Sequence, residues 1–175
     1  MLERKSLSAF EQTILPHLDA AHNLARWLTR DDADAEDIVQ EACLRAFKFF
    51  GSYRGENSRS WLLAIVRNTY FTWRQQNRIK NLTTAFDEEV HGTDNDIPTP
   101  EAILVNTVNV DLLKDALEKL PDEYREVVIL RELEGLSYKE IADVANVPLG
   151  TVMSRLARAR NQLQQALSGQ MEKEK

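Results

Sequence analysis

The sequence predicts an all-α protein: two small helical domains joined by a flexible acidic linker, with a helix-turn-helix in the C-terminal one. Three observations lead there. Apolar residues recur at the helical period, and no strand-like alternation bounded by hairpin turns interrupts them. Residues 83–107 are acidic, include Gly92, Pro98 and Pro100, and offer few large apolar side chains before Ile103. Near the C-terminus a capping box and a tight turn separate two short helical patterns. The 175 residues, 43% of them hydrophobic, suffice for two packed cores. The expected division is 1–82, a linker at 83–107, and 108–175. Thr99-Pro100-Glu101 also reads as a helix start inside that linker.

Composition narrows the function classes. No apolar run approaches the ~20 residues of a membrane span, and Met1 to Phe10 alternates charged and apolar residues, unlike a signal-peptide core. A cytoplasmic protein without membrane insertion is expected. Cys43 is the single cysteine, and His17, His22 and His91 have no ligand spacing with it, so neither a metal nor another cofactor is expected. An enzyme would need convergent catalytic groups or a glycine-rich phosphate loop, and neither pattern is present.

The net charge of −6 conceals a segregation. Residues 51–82 carry six bases against the single acid Glu56, and residues 136–168 carry Lys139, Arg155, Arg158 and Arg160 against Glu140 and Asp143. The acids gather at 31–41 and 87–101, neither stretch holding a lysine or arginine. Such separation points to different surfaces for different partners, with phosphate on the basic ones.

In the first domain Val39, Cys43, Ala46 and Phe50 share a helical face, with Ala42 and Phe47 beside them, and are expected to pack inward. Cys43 is thereby expected in the core. The opposite face carries Asp37, Gln40, Glu41, Leu44 and Lys48. It reads either as solvated surface or as a docking face anchored by Leu44. The polar loop Ser52-Tyr53-Arg54-Gly55-Glu56-Asn57-Ser58-Arg59-Ser60 suits a binding site on a rigid scaffold, and equally a solvent loop. A helix over about 60–76 turns Leu63, Val66, Tyr70 and Trp73 inward and sets Arg67, Phe71, Arg74 and Arg78 on another face. Guanidiniums beside an exposed ring would hold phosphates while the ring stacks on an unpaired base. Alternatively, Phe71 is core and the arginines solubilise the helix.

The second domain begins with Leu120-Pro121, a helix from Asp122 to Arg131, and Gly135 as a stop. Ser137-Tyr138-Lys139-Glu140 forms a capping box for a short helix through Ala145. Asn146-Val147-Pro148-Leu149-Gly150 turns the chain, and Thr151 caps or opens a final helix. Its inward residues are Val152, Leu156, Ala159 and Leu163, leaving Met153, Ser154, Ala157, Arg158 and Arg160 outward. Two short helices across a tight turn describe a helix-turn-helix, whose second helix enters the major groove. There Arg158 could make bidentate base contacts worth ~1–3 kcal/mol and Ser154 a shorter one, with Arg155 and Lys139 gripping phosphate. An ordinary helical hairpin with a charged face shares part of this pattern.

Four segments in order, Asp37-Ile38-Val39-Gln40-Glu41, Gly55-Glu56-Asn57, Trp61-Leu62 with Ile65-Val66-Arg67-Asn68, and Gly150-Thr151-Val152 through Ser154 to Arg160, resemble the extracytoplasmic-function (ECF) sub-group of bacterial sigma factors. The resemblance spans nearly the whole chain. It implies a factor that directs core RNA polymerase to promoters and assists melting under envelope or environmental stress, performing no chemistry itself. Asp37, Gln40, Glu41, Leu44, Arg45 and Lys48 would dock on the polymerase clamp. Tyr53, Arg54, Glu56, Asn57 and Arg59 would capture a flipped base of the minus-10 element, and Arg67, Asn68, Phe71 and Arg74 would hold the melted strand. Lys139, Thr151, Met153, Ser154, Arg155, Ala157, Arg158 and Arg160 would engage the minus-35 element. An anti-sigma factor is a further partner implied by the resemblance. Two positions depart from the common pattern: Met153, where many relatives have a basic residue, and Thr72-Trp73.

A linker of about 25 residues reaches up to ~80 Å, while one duplex turn spans ~34 Å, so two modules could read separated elements together. Its acids could follow basic walls of the polymerase or shield the protein's own basic patches. The rival reading is a one-component regulator that binds operator DNA through the same helix-turn-helix without polymerase.

Overall fold

The computed structural model describes the backbone of residues 2–83 and 104–173 and the side chains of residues 3–81 and 110–169. The Thr99-Pro100-Glu101 helix start and the acids of 87–101 lie outside the described residues. All regular structure among the described residues is helical.

The first half consists of α1 (Leu2–Ile14), α2 (Leu18–Thr29), α3 (Asp32–Phe49) and α4 (Ser58–Thr83). Pro16 lies in a 3-10 turn, Leu15–His17, between α1 and α2. Arg30, at φ 60°, ends α2 in the left-handed region. Asp31 then caps α3, its Oδ1 accepting from the Asp34 amide at 2.9 Å, while Asp32 and Asp34 occupy the first turn. Part of the acid run at 31–41 therefore serves the helix, satisfying free amides and opposing the positive end of its dipole. Leu24 and Leu28 of α2, Ile38 and Ala42 of α3, and Leu62, Leu63 and Val66 of α4 form the core between them. Each buried leucine contributes roughly 1.5–3 kcal/mol.

The inward stripe of α3 is Ala35, Ile38, Val39, Ala42 and Ala46. Phe47, expected inside, is 48% exposed, and Cys43 is only half-buried. The alanines bring α3 so close to its neighbours that the large ring is displaced to the rim. There Phe47 meets Phe10 of α1 edge-on at 5.3 Å.

The second half comprises α5 (Leu104–Lys119), α6 (Asp122–Val128), α7 (Tyr138–Ala145) and α8 (Leu149–Lys173). α5 is already helical at Leu104, inside the stretch read as linker. α6 continues as a π-helical turn, Ile129–Leu133, before Gly135 stops the chain at φ 67°. The capping box is formed on both sides: Glu140 N donates to Ser137 Oγ at 3.1 Å, and Ser137 N donates to Glu140 Oε1 at 3.2 Å. α7 ends at Asn146, left-handed at φ 55°. α8 opens at Leu149, ahead of the expected Thr151, because the Pro148 carbonyl already accepts from the Thr151 and Val152 amides at 3.0 and 3.2 Å.

The two halves share one continuous cluster of buried apolar residues. Arg125, 1% exposed, stitches them. Its Nη1 donates to the carbonyls of Glu118 and Leu120 at 3.1 and 2.8 Å, and its Nη2 to that of Leu28 at 3.2 Å and to the Asp122 carboxylate. Those carbonyls lie at the C-terminal ends of α5 and α2, where helices leave acceptors unpaired, so one buried guanidinium satisfies several of them.

Candidate functional site

On the outer face of α3, Glu41, Leu44, Arg45, Lys48 and Phe49 line a shallow groove of about 480 Å³. Leu44 is 67% exposed between charged neighbours. Arg45 Nε reaches Glu41 Oε1 at 3.1 Å, and Lys48 Nζ lies 5.6 Å from the Phe49 ring centre. Four of the six residues expected to dock on a partner are thus brought together, with Asp37 and Gln40 exposed on the same helix. Phe49, 53% exposed, extends the apolar strip and was missed by the sequence reading, which placed the nearby rings inside.

The loop before α4 is more ordered than its composition suggested. The Asn57 side chain caps α4, accepting from the Ser60 amide at 3.2 Å, and it donates through Nδ2 to Glu140 Oε2 of the second half at 2.8 Å. Ser60 Oγ donates to the same Glu140 oxygen at 3.2 Å. The Asn57 bond first, then that from the Ser137 amide, hold the Glu140 carboxyl below the usual carboxylate range, with a smaller share from Ser60. Tyr53 stacks on Phe50 at 5.8 Å and tilts against Trp61 at 5.1 Å. Arg54 and Glu56 are exposed. Tyr53, Asn57, Ser58 and Arg59 line an open cleft of about 660 Å³ together with His17, Asp19, Asn23 and Glu134.

The basic face of α4 is covered by the second half at Arg67, whereas Arg74 and Arg78 stay exposed. Arg67 Nε donates to Glu126 Oε1 at 2.6 Å while its guanidinium covers the Phe71 ring at 4.3 Å, so Phe71 already has a planar partner. Asn68 is exposed, and its Oδ1 accepts from Arg67 Nη1 at 3.3 Å. Arg74 pairs with Asp122 at 2.6 Å, and the Tyr70 hydroxyl donates to that carboxylate at 2.6 Å. Burial first, then the Asp122 bond, pushes the Tyr70 hydroxyl well up. Glu126 is fully buried, and burial pushes its carboxyl up against the opposing pull of Arg67. The sequence did not show that Asp122, Glu126 and Glu140 accept bonds from the first half, because such partners are set by how the halves meet and not by local periodicity.

On α8 the outward face carries Gly150, Met153, Ser154, Ala157 and Arg158, and Lys139 is exposed on α7. Thr151 is half-buried in the first turn. Arg155 is less open than its expected phosphate role suggests: its side chain is 19% exposed and lies 3.8 Å from Glu123, because position 155 flanks the buried stripe. Arg160 donates to Glu132 at 3.0 Å. Arg158 has no ion pair among the described residues.

Comparison with known proteins places both halves. The family model "Sigma-70 region 2" matches residues 13–79, and "Sigma-70, region 4" matches residues 111–163. The RNA polymerase sigma-H factor of Pseudomonas aeruginosa is 32% identical over 173 residues, covering 95% of this chain and 90% of that one. This chain belongs to the ECF sigma factors. It directs core RNA polymerase to specific promoters at transcription initiation, and the one-component regulator is not favoured. The sigma factor is also 33% identical over 167 residues to the ECF sigma factor SigE of Mycolicibacterium smegmatis, covering 95% of this chain and 64% of that longer one. Among solved structures it resembles the sigma factor RpoE of Bartonella quintana, determined with the anti-sigma factor NepR, at TM-score 0.71 and 29% identity over 91% of this chain and 97% of that one. None of the described helices is long and apolar enough to cross a membrane.

Proposed function

We propose that the sigma factor divides promoter recognition among three surfaces. Asp37, Gln40, Glu41, Leu44, Arg45 and Lys48, with Phe49, dock on the clamp of core polymerase. The loop from Tyr53 to Arg59 takes a flipped minus-10 base, while Arg67, Asn68 and Arg74 hold the melted strand and duplex edge. The outward face of α8, with Lys139, reads the minus-35 element. The chain works beside polymerase in the cytoplasm under stress control, catalyses nothing itself, and is held inactive by an anti-sigma factor, as the Bartonella relative is found with one.

The observation that carries the docking assignment is Leu44, 67% exposed on a rigid helix and bracketed by the Glu41–Arg45 pair and Lys48. An apolar anchor within a charged rim is the anatomy of a binding hot spot. The test is start-site-mapped transcription from fragmented genomic DNA with purified core polymerase. Wild type gives new starts preceded by two spaced elements. Leu44→Glu loses about thirtyfold in signal, as expected for a ~2 kcal/mol hot spot, with unchanged helical content. Undiminished starts in the variant would remove docking through this groove.

The described arrangement also supports a sequence of events. Arg67, Arg74 and Asn57 are occupied by Glu126, Asp122 and Glu140. A promoter strand reaches Arg67, 18% exposed, only once the halves part, and engagement with polymerase then exchanges carboxylates for phosphates on these donors.

A further inference from the structure

The face of α8 assigned to the minus-35 element is poor in free cations. Arg155 is turned inward to Glu123 and Arg160 is tied to Glu132, leaving Arg158 as the one arginine of α8 without an ion pair among the described residues. Beside it stand apolar groups. Met153 is 53% exposed and Leu149, four residues earlier and so one turn away on the same flank, is 49% exposed. Ala157, one turn later, is exposed as well. Among the described residues nothing covers this strip, yet it lies next to the outward Ser154 and Arg158 on the second helix of a helix-turn-helix. Whatever meets Arg158 in the groove passes the strip too.

In the major groove the apolar feature available on base edges is the C5-methyl group of thymine. We infer that Met153, backed by Leu149, reads thymine methyl groups in the minus-35 element, so that this sigma factor takes part of its promoter specificity from apolar contact. The flexible thioether can follow a methyl group at either of two adjoining base pairs, while Arg158 supplies the hydrogen bonds to guanine. The contact neutralises no phosphate. Met153 therefore adds nothing to the salt dependence of binding, which comes from cations set on phosphates.

This inference rests on α8 reading the minus-35 element, and one experiment separates the two. Holoenzyme formed with the full chain is titrated onto duplex promoter fragments in which each minus-35 thymine, on either strand, is replaced singly by deoxyuridine, which deletes the methyl group alone. With wild type, one or two replacements weaken binding about fourfold, the worth of one buried methyl-sized group. With Met153→Ala the same replacements have no effect, and the salt slope matches wild type. Three results overturn the inference: no replacement couples to Met153, the element holds no thymine, or Met153→Ala weakens all promoters equally, which would assign the strip to a protein partner. If a scrambled minus-35 element and Arg158→Ala also leave binding unchanged, the reading of α8 itself fails.

Discussion

His17 joins the turn after α1 to the start of α4, its Nε2 2.8 Å from Ser58 Oγ. Burial first, and then the charge of Arg59, lowers its pKa from the usual 6.5. The unfolded chain thus takes up this proton more readily than the folded one. Stability conferred by the neutral ring is full above 6.5 and falls as pH drops from there toward the lowered folded value. Thermal unfolding at about pH 7.5 and about pH 5.5 should show a smaller drop for His17→Gln than for wild type; equal drops would exclude His17 as a contributor. Cys43 behaves as its sequence context suggested in chemistry though not in full burial: its half-buried site pushes the thiol pKa up, away from the reactive thiolate.

At the scale of elements, α7 depends on its cap. The Ser137–Glu140 box satisfies amides at the start of an eight-residue helix, too short to be stable by propensity alone. Ser137→Ala should lower the free energy of unfolding by ~1 kcal/mol in denaturant titration; no change would mean water replaces the hydroxyl without loss. The box was legible because its signal lies within four consecutive residues. The start of α8 at Leu149 and the π turn Ile129–Leu133 were not, since both arise from how the chain must turn to pack α6 against α8. The groove on α3 lies between. Its polar face was visible in the sequence, whereas Phe49 joined it only because the alanine stripe set the roll of the helix.

At the scale of the molecule, shielding of the basic patch, which the sequence offered as a role for the linker acids, falls among the described residues to Asp122 and Glu126. Glu126→Gln keeps the shape of the contact with Arg67 and removes its charge. A charge-assisted bond is worth ~1.5–3 kcal/mol, and losing about half of it should raise the affinity of the isolated chain for a minus-10 single strand about three- to tenfold. Fluorescence anisotropy with a labelled oligonucleotide checks this. An unchanged affinity would show that opening is not limited by the Arg67–Glu126 pair.

The sequence by itself determined the all-α class, the capping box, the helix-turn-helix and the choice of Leu44 and Arg158 as outward residues. Each depends on neighbours within one or two helical turns, and local periodicity encodes those directly. Only the tertiary structure decided that Arg67, Arg74 and Asn57 face carboxylates 83 or fewer positions away, that Arg155 turns inward, and that Arg125 is buried. Such partners are set by how the two halves meet. A guanidinium in a sequence carries the same charge whether water, a phosphate or a distant glutamate will neutralise it, and burial, which selects among these, exists only once the chain has folded.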